Sequence, residues 1–114
     1  MPTLIHFSDS DGRDLFGKWL DGLADRTAQA KVAARLLRLA NSNFGDCRNV
    51  GQGVWELRID WGPGYRVYYA QVGVDVLLLC SGGDKRSQEH DIQAAQHRLL
   101  HWISRNSHEP TGKA

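Results

Sequence analysis

Hydrophobic residues near the start of the chain recur at the spacing of a helix. Asp9, Ser10 and Asp11 supply candidates for the N-cap of this first helix, and Gly22 lies near its predicted end. Its apolar face consists of residues three and four positions apart, namely Leu15, Phe16, Trp19, Leu20 and Leu23. Before the helix, residues 3–8 alternate briefly between apolar and polar, which predicts a short strand.

A second helix is predicted to begin near Asp25 or Thr27. It has an apolar stripe on one side and Lys31, Arg35 and Arg38 on the other. Asparagine and glycine within residues 41–45 are suited to ending it. Because only two to four residues join the two helices, we expect them to pack as an antiparallel helical hairpin.

Downstream of the second helix, the hydrophobic spacing changes from about 3.6 residues to about two, which predicts strands. Trp55, Leu57 and Ile59 share one face of a strand, and Glu56, Arg58 and Asp60 share the other. One further strand is apolar at nearly every position, as in a strand covered on both faces, and the sequence Ser-Gly-Gly is expected to end it. The predicted strands here are residues 47–50, 54–60, 65–71 and 74–80.

The chain is predicted to finish with a helix over residues 87–104 and a loose tail over residues 106–114. The order of these elements predicts an α+β fold, in which an N-terminal helical hairpin and a C-terminal helix pack on a mostly antiparallel sheet of four to five strands. We expect residues 1–105 to form a single domain, because 114 residues is close to the commonest domain size.

Composition restricts the class of function. The formal net charge is +1, so nucleic-acid binding has to depend on a local cluster of cations. The two cysteines are too few for a disulfide scaffold and lack the spacing of metal ligands. No apolar run approaches the roughly 18–20 residues that span a membrane, and no secretory signal is evident. The sequence therefore predicts a cytoplasmic protein with no membrane association.

Polar residues on the predicted sheet are the candidates for chemistry. If the strands are neighbours, Arg58, Arg66 and Lys85 converge on one face near Glu56 and Tyr68. A guanidinium such as that of Arg66 can contact two phosphate oxygens. Glu56 is the candidate base, Lys85 a phosphate ligand or proton donor, and Tyr68 a stacking or hydrogen-bonding group. This set suits RNA cleavage by the 2′-hydroxyl of the substrate, and the alternative interpretation is an ordinary solvated sheet face.

Three segments in this order and spacing resemble one protein family. They are Gly-Val-Trp-Glu-Leu-Arg at residues 53–58, Gly-Pro-Gly-Tyr-Arg-Val-Tyr-Tyr at 62–69, and Gly-Gly-Asp-Lys at 82–85, the last followed by Gln88, Asp91 and Ile92. Together they resemble the RelE/ParE toxin superfamily, specifically its HigB-like branch of addiction module killer proteins related to phage Gp49. The resemblance covers about residues 4–104.

The resemblance implies the toxin of a type II toxin–antitoxin module with a RelE-like fold. It implies a metal-independent endoribonuclease that needs no cofactor and cleaves mRNA on the ribosome, thereby inhibiting translation. The implied partners are the ribosome, mRNA and a cognate helix-turn-helix antitoxin, with promoter DNA bound only through the antitoxin complex. The alternatives are a ParE-like inhibitor of DNA gyrase that is not an enzyme, and an inactive prophage remnant that only binds its antitoxin.

The site residues follow from matching positions. Arg66 matches the family arginine that assists phosphate chemistry, Arg58 matches a basic strand position, and Lys85 matches a basic residue after the last strand. Glu56 departs from the pattern, since it replaces a second basic residue. The predicted catalytic residues are therefore Arg66, Arg58, Lys85 and Glu56, the predicted RNA-binding residues are Tyr68, Arg86 and Arg48, and no metal ligand is predicted.

Overall fold

The computed structural model describes residues 1–106, which form an α+β fold with a five-stranded, mostly antiparallel sheet and three α-helices. The predicted α+β class and mostly antiparallel sheet are confirmed. In chain order the elements are β1 Thr3–His6, α1 Leu15–Asp21, α2 Arg26–Ala40, β2 Cys47–Gly51, β3 Val54–Ile59, β4 Tyr65–Gly73, β5 Val76–Asp84, a 3₁₀ turn Lys85–Ser87 and α3 Gln88–Asn106.

The sheet has the strand order β1-β5-β4-β3-β2. Only β1 is parallel to its neighbour, β5, and the other pairs of adjacent strands are antiparallel. The register places Glu56 between Arg48 on β2 and Tyr68 on β4, and it places Arg58 directly opposite Arg66. Polar side chains of three neighbouring strands therefore meet on one face of the sheet.

Each face of the sheet is covered by helices, which makes two hydrophobic cores. On one face, Phe16 of α1 and Leu39 of α2 pack with Leu57 of β3. On the other face, Leu99 of α3 packs with Leu78 of β5. Since α3 begins beside the end of β5, one end of this second face lies beyond the helix, and Arg58 of β3 and Arg66 of β4 are found there.

The first helix differs from its prediction in two respects. Its N-cap is Asp14, whose carboxylate accepts a hydrogen bond from the backbone N–H of Gly17 at 2.8 Å, whereas Asp9 accepts from Asp11 and Arg13 within the preceding loop. In addition, α1 packs mainly on β5 rather than on α2. The helix arrangement therefore differs from the closely packed antiparallel hairpin that was predicted.

The last strand is longer than predicted, because β5 continues through Gly82 and Gly83 to Asp84. A Cβ atom at Gly82 would overlap the indole of Trp19, and one at Gly83 would overlap the carboxylate of Asp91. These glycines allow α1 and α3 to approach opposite faces of the strand closely, so here they do not act as strand breakers.

The turn between β4 and β5 and the C-terminal end of the chain also differ from expectation. The turn of the hairpin contains Val74, which is 97% exposed, so the strand begins at Val76. Of the predicted tail, 106–114, only Asn106 lies within the described residues, and it ends α3. None of the helices in residues 1–106 is both long enough and apolar enough to cross a membrane.

Candidate functional site

A cleft of about 380 Å³ opens where β3 ends, β4 begins and β5 enters the 3₁₀ turn. Three of the predicted catalytic residues, Arg58, Arg66 and Lys85, line it together. The complete set of lining residues is Asp46, Arg58, Asp60, Gly62, Pro63, Gly64, Arg66 and Lys85. The sheet therefore brings the predicted cations to one concave surface, where they can act on one anion.

The loop between β3 and β4 passes close to two of these cations at Gly64. Gly64 has a φ of +82°, a conformation that glycine adopts readily. A Cβ atom at this glycine would lie 3.4 Å from Nη1 of Arg66 and 3.6 Å from Cβ of Lys85. The absence of a side chain at Gly64 thus keeps the approach to the Arg66 guanidinium open.

Glu56 lies behind the cleft and is completely buried. Its Oε1 accepts a hydrogen bond from Nε of Arg48 at 2.9 Å, and its Oε2 accepts from the hydroxyl of Tyr68 at 2.9 Å and from Nε2 of Gln88 at 2.7 Å. The Nε atoms of Arg58 and Arg66 lie 3.8 and 3.9 Å from its carboxylate oxygens. One carboxylate therefore interacts with three guanidinium groups.

These contacts determine the charge state of Glu56. Burial alone would raise the pKa of its carboxyl group, but hydrogen bonds from Gln88, Arg48 and Tyr68 outweigh burial and lower the pKa. A carboxylate with a lowered pKa and occupied oxygens is a weak proton acceptor, and Glu56 is not among the residues that line the cleft. Its placement suits the positioning of arginines better than the role of general base.

Arg66 is buried like Glu56, but it reaches the cleft. Its side chain is 7% exposed, and its Nη1 donates to the backbone oxygen of Tyr65 at 3.3 Å. Within residues 1–106, Arg66 Nε is a buried polar atom with no hydrogen-bond partner. This Nε lies 3.9 Å from Oε2 of Glu56, so the carboxylate holds the guanidinium from behind the cleft.

Tyr68 occupies a different position from the one that RNA binding requires. Its side chain is fully buried in the core between the sheet and α3. Burial and, to a smaller extent, the hydrogen bond to Glu56 raise the pKa of its hydroxyl group. A buried ring has no free face for a nucleobase. The predicted stacking role is therefore not supported by this placement, and the hydroxyl instead anchors Glu56.

The two remaining predicted RNA-binding residues lie outside the cleft. Arg48 is on the edge strand β2, with its side chain 55% exposed and its Nε on Glu56. Arg86 is 85% exposed and pairs with Asp84 at 2.9 Å, and the hydrogen bond from this pair raises the pKa of Arg86. Neither side chain lines the cleft with Arg66.

The sequence analysis missed three residues that shape this site. Asp46 and Asp60 place exposed carboxylates in the cleft, and Gln88 begins α3 and holds Glu56. The sequence contains a signal for both aspartates, because Asp46 directly precedes the predicted strand 47–50 and Asp60 ends the predicted strand 54–60 on the face of Arg58. Gln88 could not have been connected to Glu56 in this way, because the contact depends on where α3 crosses the sheet.

The fold and the site define a small α+β protein with a cationic cleft at one end of its sheet. No family model matches the sequence. An uncharacterized protein of Haemophilus influenzae (strain ATCC 51907 / DSM 11121 / KW20 / Rd) is 52% identical over 82 residues, which are 71% of this chain and 82% of the relative. The chain belongs to the family of that protein.

Proposed function

We propose that this protein is a HigB-like toxin of the RelE/ParE superfamily and that its fold is RelE-like. The proposal is supported by the sequence motifs at residues 53–58, 62–69 and 82–85, which converge around one cleft although they are separate in the chain. It is also supported by the three helices on a mostly antiparallel sheet.

The proposed activity is metal-independent cleavage of mRNA at the ribosome. The observation that carries it is the cleft shared by Arg58, Arg66 and Lys85, in which the Arg66 guanidinium is buried and is paired with Glu56 from behind. Cations held in place before the substrate arrives stabilise the charge that develops on a phosphate during cleavage. The bond that forms joins the 2′-oxygen to phosphorus, and the bond that breaks joins phosphorus to the 5′-oxygen.

The proton transfers of this reaction require groups that face the cleft. Asp46 and Asp60 are the exposed carboxylates there, so one of them accepts the proton of the 2′-hydroxyl in our proposal. The Lys85 ammonium gives a proton to the departing 5′-oxygen. The products are a 2′,3′-cyclic phosphate and a 5′-hydroxyl, and solvent returns both protein groups to their starting protonation states.

The partners and the location belong to the same proposal. The toxin acts in the cytoplasm on ribosome-bound mRNA and is neutralised by a cognate helix-turn-helix antitoxin. Promoter DNA is bound only through the toxin–antitoxin complex. A formal net charge of +1 gives the isolated chain little long-range attraction to RNA, which is consistent with a substrate presented by the ribosome.

The test is a map of RNA 5′ ends minutes after the chain alone is induced in bacteria. We expect new ends within translated messages, and their loss with Arg66→Ala. Because Arg66 is buried, Lys85→Ala at an exposed position serves as a second variant, and Arg13→Ala in the loop before α1 serves as the matched control. Unchanged messages during growth arrest, or full cleavage by both folded cleft variants, would refute the nuclease.

A ParE-like inhibitor of DNA gyrase is the second candidate. It is favoured by the burial of Glu56, since the carboxylate predicted to be the base is withdrawn from the cleft. This candidate predicts DNA damage with intact messages after induction. It also predicts that Lys85→Ala keeps its toxicity, because phosphate chemistry is then not needed.

A further inference from the structure

A second groove adjoins the cleft on the side of α2. It has a volume of about 250 Å³ and lies between α2 and the end of β3. Lys31, Arg35 and Arg38 line it from one face of the helix, together with Ala34, Ile59 and Asp60. Asp60 also lines the cleft, so the two depressions meet at this residue.

The positive charge of the second groove is only partly balanced, because three cations and one carboxylate, that of Asp60, line it. Within residues 1–106, Lys31, Arg35 and Arg38 form no salt bridge, and Arg35 donates instead to the backbone oxygens of Arg58 and Phe44. Burial lowers the pKa of Arg35, and the neighbouring Arg38 charge lowers it further. The groove and the cleft together present six cations against the carboxylates of Asp46 and Asp60, so the surface is positive although the whole chain is nearly neutral.

An aromatic ring stands beside this groove. Trp61 follows Asp60 and is 37% exposed, and its Nε1 donates to the Asp25 carboxylate at 3.2 Å. The ammonium of Lys31 lies 4.7 Å from the centre of the indole ring. The hydrogen bond holds the ring in place, and the same lysine lines the groove, so the indole and the cations form one surface.

We propose that this second groove and Trp61 form a subsite for single-stranded RNA next to the phosphate cleaved in the cleft. The inference rests on the proposed function, because it extends the path of the same substrate. Lys31 and Arg38 contact a phosphate of a flanking nucleotide, and Trp61 stacks on its base. Cations next to an exposed aromatic ring are the usual arrangement for binding single strands, whereas an acidic peptide has no need of the ring.

The first test measures binding without cleavage. The full chain is titrated into a labelled single-stranded 2′-O-methyl oligoribonucleotide of about 12 nucleotides, which lacks the attacking hydroxyl. We expect Lys31→Ala/Arg38→Ala to weaken binding about tenfold. The slope of log K against log salt concentration should become shallower by about 0.7, the contribution of one phosphate on a single strand, because both residues contact the same phosphate. The matched control, Lys18→Ala/Arg26→Ala, removes two exposed cations outside the groove and is expected to change affinity less than about twofold.

The second test separates stacking from charge. Trp61→Leu is expected to weaken binding about fivefold or more to the intact probe and to have little effect on an abasic probe of equal charge. An equal loss of RNA affinity in Lys31→Ala/Arg38→Ala and in the control Lys18→Ala/Arg26→Ala would overturn the proposed subsite. Competition by polyglutamate as effective as by RNA, or no effect of Trp61→Leu, would overturn the assignment to RNA. Because these measurements need no cleavage, an absence of new RNA ends in cells would refute the nuclease separately.

Discussion

Replacing Glu56 by glutamine tests whether the buried carboxylate holds the site together. The substitution keeps the shape of the side chain but removes the charge that faces three guanidinium groups. Arg48 and Arg58 are 55% and 41% exposed, so water compensates much of their loss, which we put at about 0–1 kcal/mol each. Arg66 is buried and has no such compensation.

The main cost of Glu56→Gln comes from the buried partners. Removing one partner of a buried ion pair costs about 3–5 kcal/mol, and the lower end applies because Arg66 Nε lies 3.9 Å from the carboxylate. The amide also supplies only one oxygen, so Arg48 on one side, or Tyr68 and Gln88 on the other, meet an N–H group instead. We therefore expect a loss of about 3 kcal/mol in the free energy of unfolding.

Thermal unfolding followed by circular dichroism at pH 7 measures this loss. At about 4 °C per kcal/mol for a domain of this size, Glu56→Gln should lower Tm by about 12 °C. Glu89→Gln is the matched control, because Glu89 is an exposed carboxylate in the first turn of α3 and contributes less than about 1 kcal/mol. A decrease in Tm for Glu56→Gln no larger than that of the control would refute the argument that Glu56 stabilises the arginine cluster.

Three further predictions concern Glu56, Tyr68 and Gly82. The pKa of Glu56 is lowered below 4.5 in the folded protein, so the stabilisation that its charge provides is complete above about pH 4.5. This stabilisation is lost as the pH falls through the pKa of the folded state. The difference in Tm between wild type and Glu56→Gln should therefore shrink in acid. Tyr68→Phe should cost about 1 kcal/mol, read as a lower urea midpoint, with RNA affinity unchanged because the ring is buried; a loss of affinity at full stability would restore the stacking role. Gly82→Ala should cost about 1–3 kcal/mol by urea unfolding, because the new methyl group meets the Trp19 indole, and a neutral result would contradict the close packing of α1 on β5.

The secondary structure was largely predictable because most elements have a regular hydrophobic period. Asp25 was correctly expected at the start of α2, where its carboxylate accepts from the backbone of Thr27 and Ala28. The predicted N-cap of α1 was wrong, because several aspartates precede the helix and the preference of aspartate for N-cap positions does not distinguish them. Asp14 is selected by its position beside β1, where it also contacts His6 at 2.8 Å. That contact depends on tertiary structure.

The cleft was predictable in part. Alternation along β3 and β4 correctly placed Arg58 and Arg66 on a common face, and the Gly-Gly-Asp-Lys sequence placed Lys85 near them. The burial of Glu56 was not predictable, because period two identifies which residues share a face but does not show which part of that face a helix covers. The N-terminal end of α3 covers Glu56 through Gln88 and leaves the next residue on that face, Arg58, in the cleft.

The cross-strand arrangement explains how a nearly neutral chain keeps the three cations Arg58, Arg66 and Lys85 in one cleft. Arg58 and Arg66 are direct neighbours on adjacent strands, and like charges in such positions repel each other. Glu56 relieves this repulsion from behind the cleft, because it is buried two residues away on β3 and accepts hydrogen bonds from Tyr68 and Gln88. The anion that compensates these guanidinium groups is thus held behind the cleft, away from the surface that Asp46, Asp60 and the three cations share.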